Sequence, residues 1–296
     1  MRKRDGPLFV LPAVAHLLVF ALIPIGFALY LSLFRWNILK DDRPFIGFGN
    51  YAYLLQDGAF WNSMWNSTRF TLVAVPLGAA VALVVALLVH QKVRGMAVFR
   101  TIFYLPAISS QVAVAILWIY VFLPENGLIN AGFGLLNQLF GTKVPTGTDF
   151  LNNRTWAMWA LIFMSIWTGL GPRMILFLAG LTVIPNSLYE AAEIDGATKW
   201  QKLRFVTLPQ LSQTTFFVLI TSAIASFQVF TPVYLMTKGG PEASTEVAGY
   251  HIYAEAWKQF NVGLASAKSF VLFAVLLAFS IAQFLAMRRQ LELNRA

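Results

Sequence analysis

Six stretches of the chain, 8–34, 70–89, 101–123, 156–183, 211–236 and 269–287, are apolar enough to cross a membrane. A helix needs about 20 residues to span the hydrocarbon core. The first stretch is uncharged and follows Met1-Arg2-Lys3-Arg4. A secretory leader also starts with basic residues. This apolar run is longer than the about 7–15 residues of a leader, and no small-residue cleavage site is well placed, so it reads as a retained span. The fourth stretch carries one charge, Arg173. An even number of spans puts both termini on the same side. The pattern predicts an all-α polytopic membrane protein of six transmembrane helices, with 1–296 as a single domain.

The segment 186–210, between the fourth and fifth spans, has a different texture. From Tyr189 to Pro209 it holds six charged residues. Pro185-Asn186-Ser187 stops the fourth span, and Ser187-x-x-Glu190 has the form of a capping box. A short helix is predicted to follow and to end at Asp195-Gly196, a dipeptide suited to a turn. A second helix is predicted from Ala197, with Trp200, Leu203 and Phe205 as its apolar face. Pro209 marks the entry to the fifth span. The spacing gives a helix–turn–helix that exposes Ala191, Ala192, Gly196 and Ala197 on a charged surface. A rigid knob with small residues lets another surface approach closely. The segment also reads as an ordinary connecting loop.

Composition agrees with a membrane protein. The chain is 58% hydrophobic and 12% charged, against about 25% charged in a soluble domain. The net charge of +9 is unevenly spread. Twelve basic residues (Arg2, Lys3, Arg4, Lys92, Arg94, Arg100, Lys199, Lys202, Arg204, Arg288, Arg289 and Arg295) face five acids, Asp5, Glu190, Glu193, Asp195 and Glu292, on one side. The longer loops opposite are nearly neutral. That asymmetry fits the positive-inside rule rather than nucleic-acid binding. It puts both termini and the helix–turn–helix in the cytoplasm.

Several chemistries are excluded. Without cysteine there are no disulfides, thiol nucleophiles or cysteine metal sites. No phosphate loop of the Gly-x4-Gly-Lys-[Ser/Thr] form occurs, so no Walker site is expected. His16, His90 and His251 lack zinc-protease spacing, and His16, inside the first span, reads as a polar contact to a neighbouring helix. No residue is assigned a catalytic or metal-binding role. A polytopic enzyme needs convergent acid, base or metal groups, and the spans offer Arg173 and His16. No predicted span holds a carboxylate, which a secondary transporter often needs.

Arg173 follows Gly169-Leu170-Gly171-Pro172. Pro172 removes a helix hydrogen bond and is predicted to kink the fourth span. A charge at membrane depth normally faces a cavity or a partner. Arg173 therefore reads either as a solute contact or as a group held by backbone carbonyls or snorkelling to the interface. The aromatics near span ends, among them Trp36, Trp61, Trp118 and Trp257, read as interfacial anchors.

Glu190-Ala191-Ala192, three residues, Gly196, nine residues, then Val206-x-Leu208-Pro209 resembles the EAA loop of ABC importer permease subunits. Val206 stands where that family usually has Ile. The longer run Leu188 to Ala197 is similar to the carbohydrate-uptake branch. Asn50-Tyr51, Phe99-Arg100, Tyr104-Leu105-Pro106, Gly127-Leu128-Ile129-Asn130 and Gly263-Leu264-Ala265-Ser266-Ala267 extend the likeness over nearly the whole chain. Thr237-Lys238-Gly239-Gly240-Pro241 resembles the F-type maltose permease rather than its G-type partner.

The resemblance implies a subunit of a binding-protein-dependent importer in a bacterial or archaeal inner membrane. It implies a heterodimer with a G-type permease, two cytoplasmic ATPase subunits and an extracytoplasmic solute-binding protein. ATP and Mg would then act on the ATPase subunits, with no cofactor on this chain. Glu190, Ala191, Ala192, Asp195, Gly196, Ala197, Leu208 and Pro209 would form the coupling knob that enters a cleft of the ATPase. Solute contacts would lie on the fourth and fifth spans, on Ser165, Thr168, Gly169 and Pro172 and on Ser222, Ser226 and Val229, with Arg173 beside them. Ser222 and Ser226 share a helix face, and hydrogen bonding between helices is the other reading for them. The implied cargo is a sugar or oligosaccharide. A polyol or glycerophosphate-like solute is the alternative, and a membrane enzyme a more remote one.

Overall fold

A computed structural model describes residues 5–40, 42–91 and 95–293. Among them secondary structure is helical, with two isolated β-bridges, Phe34 to Phe45 and Asn37 to Asn261. Of the basic residues that orient the chain, Arg2, Lys3, Arg4, Lys92, Arg94 and Arg295 lie outside the described residues.

Helix α1 (Asp5–Leu17) passes through a π-helical turn, Leu18–Leu22, into α2 (Ile23–Ser32). Together they supply a candidate span, Val10–Ser32, in which Ser32 alone is buried within the chain. His16 contacts Phe20 on its own helix, with ring centroids 4.9 Å apart. Among the described residues the predicted contact of His16 to a neighbouring helix is not made. A short α3 (Gly49–Leu54) precedes α4 (Gly58–Val89). Helix α4 begins well before the predicted Phe70 because its polar opening turns are put to use. Buried Asn66 donates to the carbonyls of Ala243 (2.9 Å) and Glu246 (3.1 Å), and buried Ser67 accepts from the Ala248 amide at 2.9 Å. A hydropathy reading stops short of such a segment.

The predicted third span is broken. Helices α5 (Met96–Ile108) and α6 (Gln111–Val121) meet at 99°. Ser109 is extended (φ −74, ψ 150) and its Oγ donates to the Leu105 carbonyl at 3.0 Å, so the side chain competes with the helix ladder. Pro106, inside α5, lacks the N–H that ladder needs. Helix α7 (Leu128–Phe140) falls in a stretch that the sequence reading leaves as loop. Helix α8 (Trp156–Val183) has the predicted limits and runs through Pro172 without a break.

After α8 come α9 (Asn186–Ile194) and α10 (Lys199–Lys202). The latter continues through a π-helical turn, Leu203–Thr207, into α11 (Leu208–Gln210), and α12 (Ser212–Phe227) follows. The predicted fifth span, 211–236, is thus divided. Helix α12 ends at Phe227, and the chain is helical again at 231–232 and through the π-helical turn Val233–Thr237. The residues between the two helical stretches are 228–230. Helix α13 (Ala248–Trp257) precedes α14 (Val262–Leu293), whose spanning part is Val262–Leu285 rather than 269–287. Among the described residues four helices, plus the bent pair, are long and apolar enough to cross a membrane.

The chain forms two compact units, 1–62 with 251–279, and 63–250 with 280–296. In the first, the Asn50 side chain donates to the carbonyls of Ser32 (2.7 Å) and Phe34 (2.9 Å), and Tyr51 shares a 2.8 Å hydrogen bond with Ser32. The Asn50-Tyr51 pair thereby fixes the end of α2. In the second, α8 is covered by α5 and α12. A Cβ on Gly171 would stand 2.7 Å from Tyr104 Cα, and one on Gly180 2.6 Å from Thr214 Oγ1. Gly171 lets the backbone of α5 approach closely, and Gly180 makes room for the side chains of Thr214 and Leu211. Two apolar clusters, one around Leu161 and Met164 and one around Met174 and Phe177, fill this unit.

Candidate functional site

Packing α8 beside α12 creates a cavity of about 250 Å³ in the second unit. Ser165, Thr168, Gly169, Arg173, Ser226 and Val229 all line it, so most of the solute patch expected from the resemblance comes together. Pro172 is exposed and does not line it. Ser222 does not line it either, and instead accepts a 3.0 Å hydrogen bond from Arg173 Nε. Gln111, Gln228 and Thr231 complete the polar lining. These three follow breaks, at the start of α6 and beyond the end of α12, which a reading in continuous spans conceals.

Room for the guanidinium comes from two glycines. A Cβ on Gly169 would lie 2.8–2.9 Å from Cζ and both Nη atoms, and one on Gly78 would collide with Nη1. Nη1 is buried with no hydrogen-bond partner.

A second polar cluster escaped the sequence reading. In the first unit, Lys268 of α14 is 1% exposed. Its Nζ lies 2.7 Å from Glu255, 3.1 Å from Asp57 and 2.9 Å from His251 Nε2. Lys268 therefore lies in a candidate span, Val262–Leu285, beside the Arg173 and His16 that the sequence reading finds in its spans. The signal was hidden because Lys268 falls one residue before the predicted sixth span, and α13 is not apolar enough to stand out. Asp57 also caps α4, accepting from the amides of Ala59 and Phe60, both at 3.1 Å. Burial pushes its carboxyl up. The Phe60 amide, Lys268 and His251 outweigh that and hold it below the usual carboxylate value.

In the 186–210 segment the predicted capping box at Ser187 is absent. Pro185 is the N-cap of α9, without a side-chain hydrogen bond, and Ser187 already lies inside the helix. A capping box does occur one helix later. The Thr198 side chain accepts from the Gln201 amide, and Gln201 accepts in return from the Thr198 amide at 2.7 Å. Gly196 has φ +74, and the Ala197 amide reaches back to the Ala192 carbonyl at 2.8 Å, closing α9 as a left-handed glycine cap does. Lys202 bridges to Glu193 at 2.6 Å, and its hydrogen bond and charge lower the Glu193 carboxyl. Tyr189 and Thr207 share a 3.0 Å hydrogen bond. Glu190, Ala191, Asp195, Gly196, Leu208 and Pro209 are exposed, Ala192 and Ala197 half-buried. Ile194, Trp200 and Phe205 are 87%, 67% and 69% exposed, so the expected apolar face has little cover from this chain.

Among the described residues no group of three or more His, Cys, Asp or Glu side chains is arranged to hold a metal.

Comparison with known proteins follows the same architecture. Over 295 residues the chain is 35% identical to the lactose transport system permease protein LacF of Rhizobium radiobacter, covering 97% of this chain and 95% of that one. It is 30% identical over 278 residues to the sn-glycerol-3-phosphate transport system permease protein UgpA of Rhizobium meliloti, covering 94% and 92%. A chain of a bacterial ABC transporter involved in the import of the acidic polysaccharide alginate superposes with a TM-score of 0.80. It shares 26% identity, over 97% of this chain and 96% of that one. Residues 74–291 match the family described as binding-protein-dependent transport system inner membrane component. With most of its length inside that match and its fold shared with a permease of an importer, the chain belongs to this family of ABC transporter permeases.

Proposed function

We propose that the chain is one of two permease subunits of an ATP-driven importer for a sugar or sugar derivative, working by alternating access. The observation that carries this reading is a combination within one unit. A polar cavity lies between α8 and α12, and the segment that follows α8 presents small residues and uncovered Ile194, Trp200 and Phe205. A polar cavity and an exposed apolar surface on the segment that follows α8 are what a permease driven from outside the chain requires. The reading takes 1–296 as one permease domain of six spans. In it α5 with α6 forms the broken third, the stretch from α11 to Thr237 the fifth, and both termini are cytoplasmic.

In this scheme Glu190, Ala191, Ala192, Asp195, Gly196, Ala197, Leu208 and Pro209 dock on one of two ATPase subunits, which hold ATP and Mg. A G-type permease completes the channel, and an extracytoplasmic binding protein delivers the solute. When ATP closes the ATPase pair, the 186–210 knob moves with it and α8 and α12 turn, exposing the cavity to alternate sides. Ser165, Thr168, Gly169, Arg173, Ser226 and Val229 contact the solute there, with Pro172 and Ser222 behind them. The relatives support the solute class: one is named for lactose, one for sn-glycerol 3-phosphate.

The test is reconstitution of the complex in proteoliposomes with Glu190→Ala or Gly196→Val. Both variants are expected to keep ATP hydrolysis and lose uptake. Unchanged uptake in both would remove the coupling role.

A further inference from the structure

We infer that the cavity between α8 and α12 takes a solute carrying an anionic group, a carboxylate or a phosphate, and that Arg173 is its counter-ion. This rests on the reading of that cavity as the solute path.

The argument starts with what the guanidinium lacks. Arg173 makes one hydrogen bond among the described residues, from Nε to the neutral Ser222 hydroxyl. Nη1 is buried and unpartnered. Nη2 makes no hydrogen bond among the described residues, and the side chain lines the cavity. A guanidinium carries five N–H donors, so four are unused. Among the described residues no acid lines the cavity: besides Arg173 its polar side chains are Gln111, Ser165, Thr168, Ser226, Gln228 and Thr231, all neutral. A buried cation normally has a counter-charge, and one at membrane depth above all.

The site is nevertheless shaped for this side chain. Gly78 and Gly169 leave a hollow that a Cβ at either position would close. Nε is bonded to Ser222 and Nη1 is enclosed, which holds the planar fork in one orientation and leaves Nη2 as the donor a solute can reach. One oxygen of a carboxylate or phosphate placed there would make a charge-assisted hydrogen bond and bring the counter-charge to the guanidinium. The neutral hydroxyls and amides around it suit the remaining hydroxyls of a sugar or polyol. A neutral sugar entering the same space would displace water and leave the charge uncompensated.

The experiment measures uptake by cells that express the importer with its own partners and no other route. Three labelled probes are compared: a glucuronate-terminated disaccharide, sn-glycerol 3-phosphate and lactose. The expected result is entry of one or both acidic probes, and which one enters separates carboxylate from phosphate. In Arg173→Gln that uptake falls by about tenfold or more, the scale of one lost charge-assisted hydrogen bond. Arg173→Lys is expected to retain part of it, while the complex still assembles and hydrolyses ATP. Entry of lactose alone, entry of no acidic probe, or full acidic uptake in Arg173→Gln overturns the inference and leaves the permease reading in place. Loss of partner subunits from Arg173→Gln also overturns it, because the counter-ion is then a partner's carboxylate. A wild-type complex without ATP-driven uptake of any probe, and without ATPase subunits, sinks the permease reading itself.

Discussion

Lys268 and Glu255 meet at 2.7 Å with side chains only 1% and 5% exposed. Asp57, at 3.1 Å and 10% exposed, completes a buried charge cluster that ties the start of α4 to α13 and α14. Two carboxylates share one ammonium, with His251 at 2.9 Å. Asn261 donates to the other Glu255 oxygen at 2.9 Å, so that carboxylate is satisfied on both sides. Such an arrangement costs desolvation to build and far more to break than its net contribution suggests.

Lys268→Met should therefore be severe. It strands the buried carboxylate of Glu255 and the half-buried one of Asp57, and removing one partner of a buried pair typically costs about 3–5 kcal/mol. Glu255→Gln should cost less, since Asp57 keeps the ammonium paired. The thermal midpoint of the assembled complex in detergent reads both, and equal midpoints for wild type and Lys268→Met would contradict the cluster's role.

Acid should act through Asp57. Its carboxyl is lowered in the folded chain, so its contribution is fully present above the unfolded value of about 3.9 and is lost as pH falls through the folded value. The thermal midpoint should begin to drop below about pH 4, where the unfolded chain takes up this proton, and go on falling until the folded Asp57 is protonated at a lower pH. In Asp57→Asn, which keeps an acceptor for the α4 cap, that part of the drop should disappear. An identical acid profile in the variant would assign the transition to other carboxylates.

Helix contacts give a matched pair. Gly171→Ala drives a Cβ against the backbone of α5, 2.7 Å from Tyr104 Cα, and overpacking of this kind costs about 1–3 kcal/mol. A Cβ on Gly26 would meet nothing within 4 Å, so Gly26→Ala should be neutral or slightly stabilising. Equal midpoints for the two variants would mean that α5 and α8 do not pack as described.

Thr198 offers a local test of the helix–turn–helix. Thr198→Ala removes a cap worth about 1 kcal/mol, whereas Thr198→Ser retains it. Hydrogen–deuterium exchange over 198–203 should speed up in the first variant and not in the second. No difference between them would show that the reciprocal bonds with Gln201 contribute nothing.

The legible parts of this protein were those written in local pattern. The limits of α8, the glycine stop at Gly196 and the even spacing of Ser222 and Ser226 are all carried by neighbours in sequence. What pattern missed was decided at a distance or by a single atom. The bend at Ser109 depends on one extended residue and a side chain that bonds its own helix. The polar turns of α4 look unfit for a span until Ala243, Glu246 and Ala248 arrive to use them. Lys268 reads as a loop residue until Glu255 and Asp57 surround it. The capping box was sought at Ser187 because Glu190 lies three residues on, but Pro185 had already started the helix. The same form at Thr198 and Gln201 went unread.

The most direct measurement is co-purification of the tagged chain, in mild detergent, from cells that express its native partners at normal levels. The copurifying chains would be identified by mass. The account predicts a second permease chain and an ATPase in stable association. A chain that purifies alone under those conditions would contradict it and reduce the 186–210 segment to a connecting loop.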